Sequence, residues 1–344
     1  MTISSKRLRA LLASTLLAAC AAPLLAQTPP PVALPGDGPE DGKLKQIFHD
    51  SDEAGLKRNP IGALFRGDLR YADRLGDFFS YQQIDAERAA GQEDLRRLDG
   101  IDRNKLTPTD KIAYDVFRQG TMIGLKGLTP EIVTLTAVRP LDHFNGIQGF
   151  YPDIASGQGA APFKSVLDYE NNLKRNAQYA AQLDVAILRF REGMKTHVVQ
   201  PKLVVRNMIE QFDNIINQGV EGSTFYGPVK KFPEGISAAD QARLTKAYAT
   251  QIRDVLIPAH QRMRDFLSGT YLAAARDSVG LSAMPGGAKL YDYLIEASTT
   301  LPLKADDVHQ LGLSEVARIH KQMETQRQKV GFKGTLPEFF EFMR

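Results

Sequence analysis

Residues 163–194 read FKSVLDYENNLKRNAQYAAQLDVAILRFREGM. Within them Leu173, Ala177, Ala180, Leu183, Ile187, Phe190 and Met194 recur at steps of three and four. A helix with 3.6 residues per turn carries such positions on one face. This long amphipathic stretch, flanked by others of the same period, predicts an all-α fold.

Downstream, Pro201 opens a second helix with Val205, Met208, Ile209, Phe212, Ile215 and Ile216 as its stripe and Gly219 as its stop. Ser237-Ala238-Ala239-Asp240 caps a third, whose stripe is Leu244, Ala247, Tyr248, Ile252 and Val255. Pro258 is expected to break or kink it, because proline lacks the amide donor. Helix then resumes through Met263, Phe266 and Tyr271. Asp306 is read as the cap of a last long helix carrying Val308, Leu311, Glu315, Ile319 and Met323 before Gly331. Upstream, Thr107-Pro108-Thr109-Asp110 is a box-like start feeding Ile112, Tyr114 and Phe117. Only Ile132–Val138 has the β-branched chemistry of a strand. Irregular segments at 140–162, 219–236 and 277–292 carry Gly, Pro and aromatic residues and are expected to line a cleft.

The formal net charge is +3, but Lys6, Arg7 and Arg9 stand in an N-terminal stretch, residues 1–26, that holds no acid. Basic and acidic residues balance in the remainder, so the charge points to neither a nucleic-acid nor an anionic-membrane partner. Residues 1–26 have the basic, apolar and small-residue parts of a secretion signal. Its apolar core, Leu11–Ala19, is too short to span a membrane. Leu17-Ala18-Ala19-Cys20 resembles a lipobox that would make Cys20 the lipidated first mature residue, whereas Leu24-Leu25-Ala26 suits ordinary signal cleavage. Cys20 is the sole cysteine, so no internal disulfide and no thiolate zinc site is expected. A Pro- and Gly-rich linker is assigned to residues 27–45, and one helical domain to residues 46–344.

Near the C-terminus, Thr335-Leu336-Pro337-Glu338 reads as a capping box, followed by Phe339, Phe340, Phe342 and Met343. So short a helix, so rich in Phe, is expected to be covered by further protein. The domain is therefore read as incomplete at its C-terminus, with a missing C-terminal half packing on Phe339–Met343.

The chemistry-bearing residues form no self-contained site. The histidines are His49, His143, His197, His260, His309 and His320, and no His-Glu-x-x-His helix contains them. His309 and His320 share a helix face but would lie roughly 16 Å apart, too far for one metal. His320 and Glu324 are read as a solvated pair one turn apart. No Gly-x-Ser-x-Gly elbow is present, and Gly157-Gln158-Gly159 is read as a turn rather than a phosphate cradle. Asp142 and His143, Tyr226 and Lys230, Arg276 and Tyr291 are the candidate cleft-lining residues. They combine charge or hydrogen-bonding capacity with loop positions. No catalytic residue and no metal ligand is assigned.

Four blocks in order resemble the bacterial domain-of-unknown-function family 885, over roughly residues 46–344. They are Asn59-Pro60-Ile61-Gly62-Ala63 with Asp73–Asp77, then Phe225–Pro233, then Tyr271–Leu281 with Met284-Pro285-Gly286-Gly287, and last Leu311–Ile319 with Gly331–Gly334. The resemblance implies an exported helical protein similar to zinc metallopeptidases, with a peptide substrate. It also implies a His- and Glu-bearing zinc helix beyond the last block, in which zinc activates a water. No residue here matches that helix. The expectation is a scaffold and cleft wall of an exported zinc-dependent peptide hydrolase, periplasmic or lipid-anchored, inactive alone. The alternative is a non-catalytic envelope-associated binding or scaffold protein.

Overall fold

The computed structural model describes residues 37–344. Cys20, the predicted secretion signal and the start of the predicted linker lie outside the described residues. The first helices are α1 (Pro39–Arg58), α2 (Pro60–Phe65), α3 (Tyr81–Leu98), α4 (Pro108–Gly127), α5 (Pro130–Thr136) and α6 (Ile147–Ala155). The central ones are α7 (Val166–Thr196), α8 (Lys202–Asn217), α9 (Gly219–Gly222), α10 (Gly227–Lys230), α11 (Ala238–Gln251), α12 (Ile257–Phe266) and α13 (Leu272–Ala274). Last come α14 (Gly287–Thr299), α15 (Ala305–Lys329) and α16 (Leu336–Met343). The fold is all-α, and among the described residues the sole β-like feature is an isolated bridge between Pro201 and Arg276.

Local sequence explains most helix starts. Thr107, Ser237 and Thr335 each accept the backbone N–H three residues on, as their capping signatures predict. Glu338 returns the bond to Thr335 N at 2.6 Å, completing that box. Asp41 clamps two helix starts together. Its carboxylate accepts Gly38 N at 2.7 Å within α1 and Thr107 N at 2.9 Å at the start of α4. These donors, Thr107 foremost, hold its pKa down at about 2.

Several expectations are corrected. Helix begins at Pro39, so the linker assigned to residues 27–45 ends earlier than predicted. Residues 132–138 are not a strand: Thr129 and Pro130 start α5, and Ile132, Val133 and Leu135 are buried by helix packing. β-propensity yields to such a start signal because it mostly reports packing surroundings. Asp306 is not the cap of α15, whose N-cap is Lys304; Asp306 and Asp307 lie in the first turn, where acids suit the helix dipole. Pro258 does not break its helix. A π-turn at Ile252–Leu256, in which Ile257 N reaches Ile252 O, shifts the bonding register just before it. Ala177 and Ile112 are exposed despite their place in the predicted stripes. The irregular segment 140–162 contains α6.

The main core lies where α12 packs on α7 and α8, with Leu183, Phe190, Val205, Met208, Phe212 and Met263 all fully buried. Each such side chain contributes about 1.5–3 kcal/mol by burial. A second cluster joins α1, α3 and α4 around Leu44, Leu98 and Tyr114. A third docks α14 on α5 through Leu290, Leu135 and Val138. Gly287 is required there: a Cβ on it would meet Leu281 O at 1.7 Å.

The N-terminal half of α7 buries polar residues instead of a simple apolar stripe. Arg175 Nη2 donates to Asn172 Oδ1 at 3.1 Å, and its Nη1 donates to Ala72 O. Asn172 Nδ2 reaches Tyr248 Oη at 3.1 Å, and Tyr151 Oη donates to Asn176 Oδ1 at 2.7 Å. Buried polar groups paired in this way fix the register between helices.

Candidate functional site

The structure splits the predicted cleft-lining residues. Tyr226 is half-buried between two hydrophobic clusters, and Lys230 is exposed at the end of α10. Tyr291 is exposed at 47% on α14, far from the core role of its neighbour Leu290. Asp142 and Arg276, by contrast, fall in one neighbourhood, and His143 is beside it.

That neighbourhood is built by three chain segments. The turn after α5 supplies Arg139 and Leu141. The segment after α7 supplies Val199 and Gln200. The segment after α13 supplies Arg276. Gln200 ties them: its Nε2 donates to Leu141 O at 2.9 Å, and its carbonyl accepts Arg276 N at 3.2 Å. Its own N–H donates to Tyr271 Oη at 2.9 Å. Gly193 permits the approach, since a Cβ there would meet Val198 O at 2.5 Å and Val138 O at 2.8 Å.

Both guanidiniums are anchored by part of their donors. Arg276 Nε donates to Val199 O at 3.2 Å, and its Nη1 donates to Ser278 O and Gly280 O, each at 2.7 Å. Arg139 Nε donates to Leu135 O at 3.0 Å. Among the described residues, no carboxylate forms an ion pair with either arginine. Asp142 is engaged elsewhere, its Oδ1 accepting Phe144 N and Asn145 N, each at 2.6 Å. Asp277, next to Arg276, turns to Lys202 Nζ at 2.9 Å.

Electrostatics follow from this arrangement. Burial lowers the Arg139 pKa first, and the Arg276 charge lowers it further. Burial lowers Arg276 as well. The Tyr271 phenol is pushed up to about 12 by burial, against the pull of the Gln200 N–H and both guanidiniums. Asp142 and His143 do not form a dyad. Gln211 Nε2 donates to the His143 carbonyl at 2.7 Å, while its ring Nδ1 is buried without a partner among the described residues. Sequence reasoning passed over Arg139. A charged residue at the exit of an apolar run, just before a proline, was its sole local signal.

A groove of about 630 Å³ runs between α1, α2, α3 and α4. Its charges neutralise one another: Arg58 Nε lies 3.1 Å from Glu87 Oε1, and Arg66 Nη1 lies 2.6 Å from Asp52 Oδ1. Glu324 likewise pairs with Arg327 rather than with His320. Among the described residues, no group of three or more His, Cys, Asp or Glu side chains is placed to hold a metal. No helix among the described residues is long and apolar enough to cross a membrane.

The C-terminal arm presents a different surface. Val316, Ile319 and Met323 share one face of α15 and are 53%, 38% and 39% exposed. In α16, Phe339 is buried against Phe332, with ring centroids 5.4 Å apart, but Phe342 is 72% and Met343 58% exposed.

Residues 60–344 match the sequence family described as bacterial protein of unknown function (DUF885). The chain belongs to this family. No curated protein matches it. Among solved structures it resembles one described as "the putative lipoprotein from Colwellia psychrerythraea", with a TM-score of 0.68 at 17% identity. The match covers 87% of this chain and 53% of that one. The DUF885 chain thus spans about half the length of the structure it resembles. At this identity the likeness concerns the fold alone.

Proposed function

We propose that this DUF885 chain is the helical scaffold and one cleft wall of an exported zinc-dependent peptide hydrolase of the bacterial envelope. The observation that carries the reading is the uncovered apolar face of α15 and α16. An amphipathic helix gains stability from burying its apolar stripe, so that face suits a further packed layer. The half-length match to the Colwellia structure supports the same reading. In this proposal zinc belongs to polypeptide outside these residues, since they offer no set of ligands for it. Envelope location is supported by the signal-like N-terminus, with Cys20 as the lipid attachment point where its lipobox is used, and by the Colwellia protein's description as a lipoprotein.

The test is to follow the reading frame past codon 344, express its whole product and assay peptide hydrolysis with and without a chelator. Hydrolysis that is lost to the chelator and restored by zinc supports the proposal. A product with no such hydrolysis overturns it and favours the second reading, a non-catalytic envelope binding protein. The uncompensated arginine pair is the feature that favours that second reading.

A further inference from the structure

We propose that Arg139 and Arg276 form a binding site for a single carboxylate, the free C-terminus of a peptide ligand. A guanidinium has five donors in a planar fork and favours carboxylates geometrically. Arg139 spends only Nε on the protein, and Arg276 keeps Nη2 unspent. The two anchored side chains belong to one cluster, in which Gln200 bonds both the Leu141 carbonyl, two residues from Arg139, and the Arg276 N–H, while its own N–H meets the Tyr271 hydroxyl. The protein bonds that remain hold each fork in place before a ligand arrives, which lowers the ordering cost of binding.

Charge selects the ligand class. Both arginines are partly buried, and among the described residues no protein carboxylate forms an ion pair with either. The Asp142 carboxylate is turned to its own loop, where Oδ1 accepts the Phe144 and Asn145 amides. A planar guanidinium fork matches the planar, two-oxygen face of a carboxylate. The neutral floor of Tyr271 and Gln200 adds no further charge. This inference rests on the peptide class of the proposed function but not on its zinc chemistry. Binding is measured without turnover, so either can fail while the other stands.

The experiment is calorimetric titration of the full chain with N-acetyl-alanyl-alanine, its C-terminal amide and inorganic phosphate. The free acid is expected to bind at least about tenfold more tightly than the amide, and more tightly than phosphate. Arg139→Gln is expected to abolish the preference for acid over amide with at most a small drop in melting midpoint, since the protein loses only the Nε bond to the Leu135 carbonyl. Arg139→Lys is expected to retain part of the preference. Arg276→Gln is less decisive alone, since it also releases the Ser278 and Gly280 carbonyls. Equal binding of acid and amide, no binding of either, stronger binding of phosphate, or an unchanged preference in Arg139→Gln would each overturn the proposal.

Discussion

His260 Nε2 lies 3.0 Å from the Tyr179 hydroxyl, and its Nδ1 lies 2.7 Å from the Leu256 carbonyl. A carbonyl only accepts, so Nδ1 carries the proton and the neutral ring accepts the Tyr179 O–H at Nε2. The pair is fully buried beside Phe212 and Phe225. Protonation would force a second N–H into a place already held by a hydroxyl and would put a charge in the core.

Folding therefore couples to pH. Burial lowers the His260 pKa to about 4, below the ordinary 6.5 of an unfolded histidine. Between these values the unfolded chain binds more protons than the folded one. Stability is complete above about pH 6.5 and falls as pH drops toward 4, by about 3 kcal/mol in total. Urea melts of the chain and of His260→Gln between pH 4 and 7 check this. The variant is expected to lose most of the slope in that window, and equal slopes would refute the assignment.

Arg175 is a buried cation whose bonds go to a backbone carbonyl and an amide rather than to a carboxylate. Replacing a buried charge with an apolar isostere is sometimes neutral, because desolvation is avoided. Here the carbonyl of Ala72 and the Asn172 side chain would be left buried without their donor. Arg175→Met is therefore expected to destabilise the chain by about 2–4 kcal/mol. The turn it holds should loosen first, so hydrogen exchange at Leu75, whose N–H is bonded to Gln178, is expected to accelerate. Unchanged exchange there would place the role of Arg175 elsewhere.

This network also marks the limit of what the sequence makes legible. Thr107, Ser237 and Thr335 announce their helices because a cap is a contact among near neighbours. The buried face of α7 is hidden because Asn172, Arg175 and Asn176 look like solvent-facing residues until Ala72, Tyr248 and Tyr151 arrive from other segments. Arg276 stands out by composition and loop position. Its partner Arg139 does not, since the turn after α5 and the exit of α13 are distant in sequence and are joined by Gln200 from a third segment. The misread strand at Ile132–Val138 has the opposite cause: a strong local propensity overridden by Pro130 and by packing on α14.

Gly193 offers a test of how closely that meeting is tuned. A methyl at this position meets two backbone carbonyls, Val198 O and Val138 O, and neither can swing aside like a side chain. Gly193→Ala is expected to cost about 1–3 kcal/mol by overpacking. It should also displace the Val138–Leu141 turn that carries Arg139. Loss of the acid-over-amide preference, together with a lowered melting midpoint, is the expected outcome. A variant that melts and binds like the parent would show that the turn adapts.

The C-terminal arm predicts how the chain behaves on its own. Phe342 and Met343 are exposed at the end of α16, and Val316, Ile319 and Met323 are exposed on α15. Phe339 is already satisfied by Phe332, so the adhesive part is the outer edge rather than the whole Phe-rich segment. Apolar surface of this kind drives association in water at about 25 cal/mol per Å² covered. The chain is expected to self-associate with rising concentration. Phe342→Glu with Met343→Glu should shift it toward monomer, at the cost of the Phe342 ring contact with Phe332 at 5.2 Å. Sedimentation velocity across a concentration series separates the cases. A parent chain that stays monomeric throughout would remove the argument that this face is built to be covered.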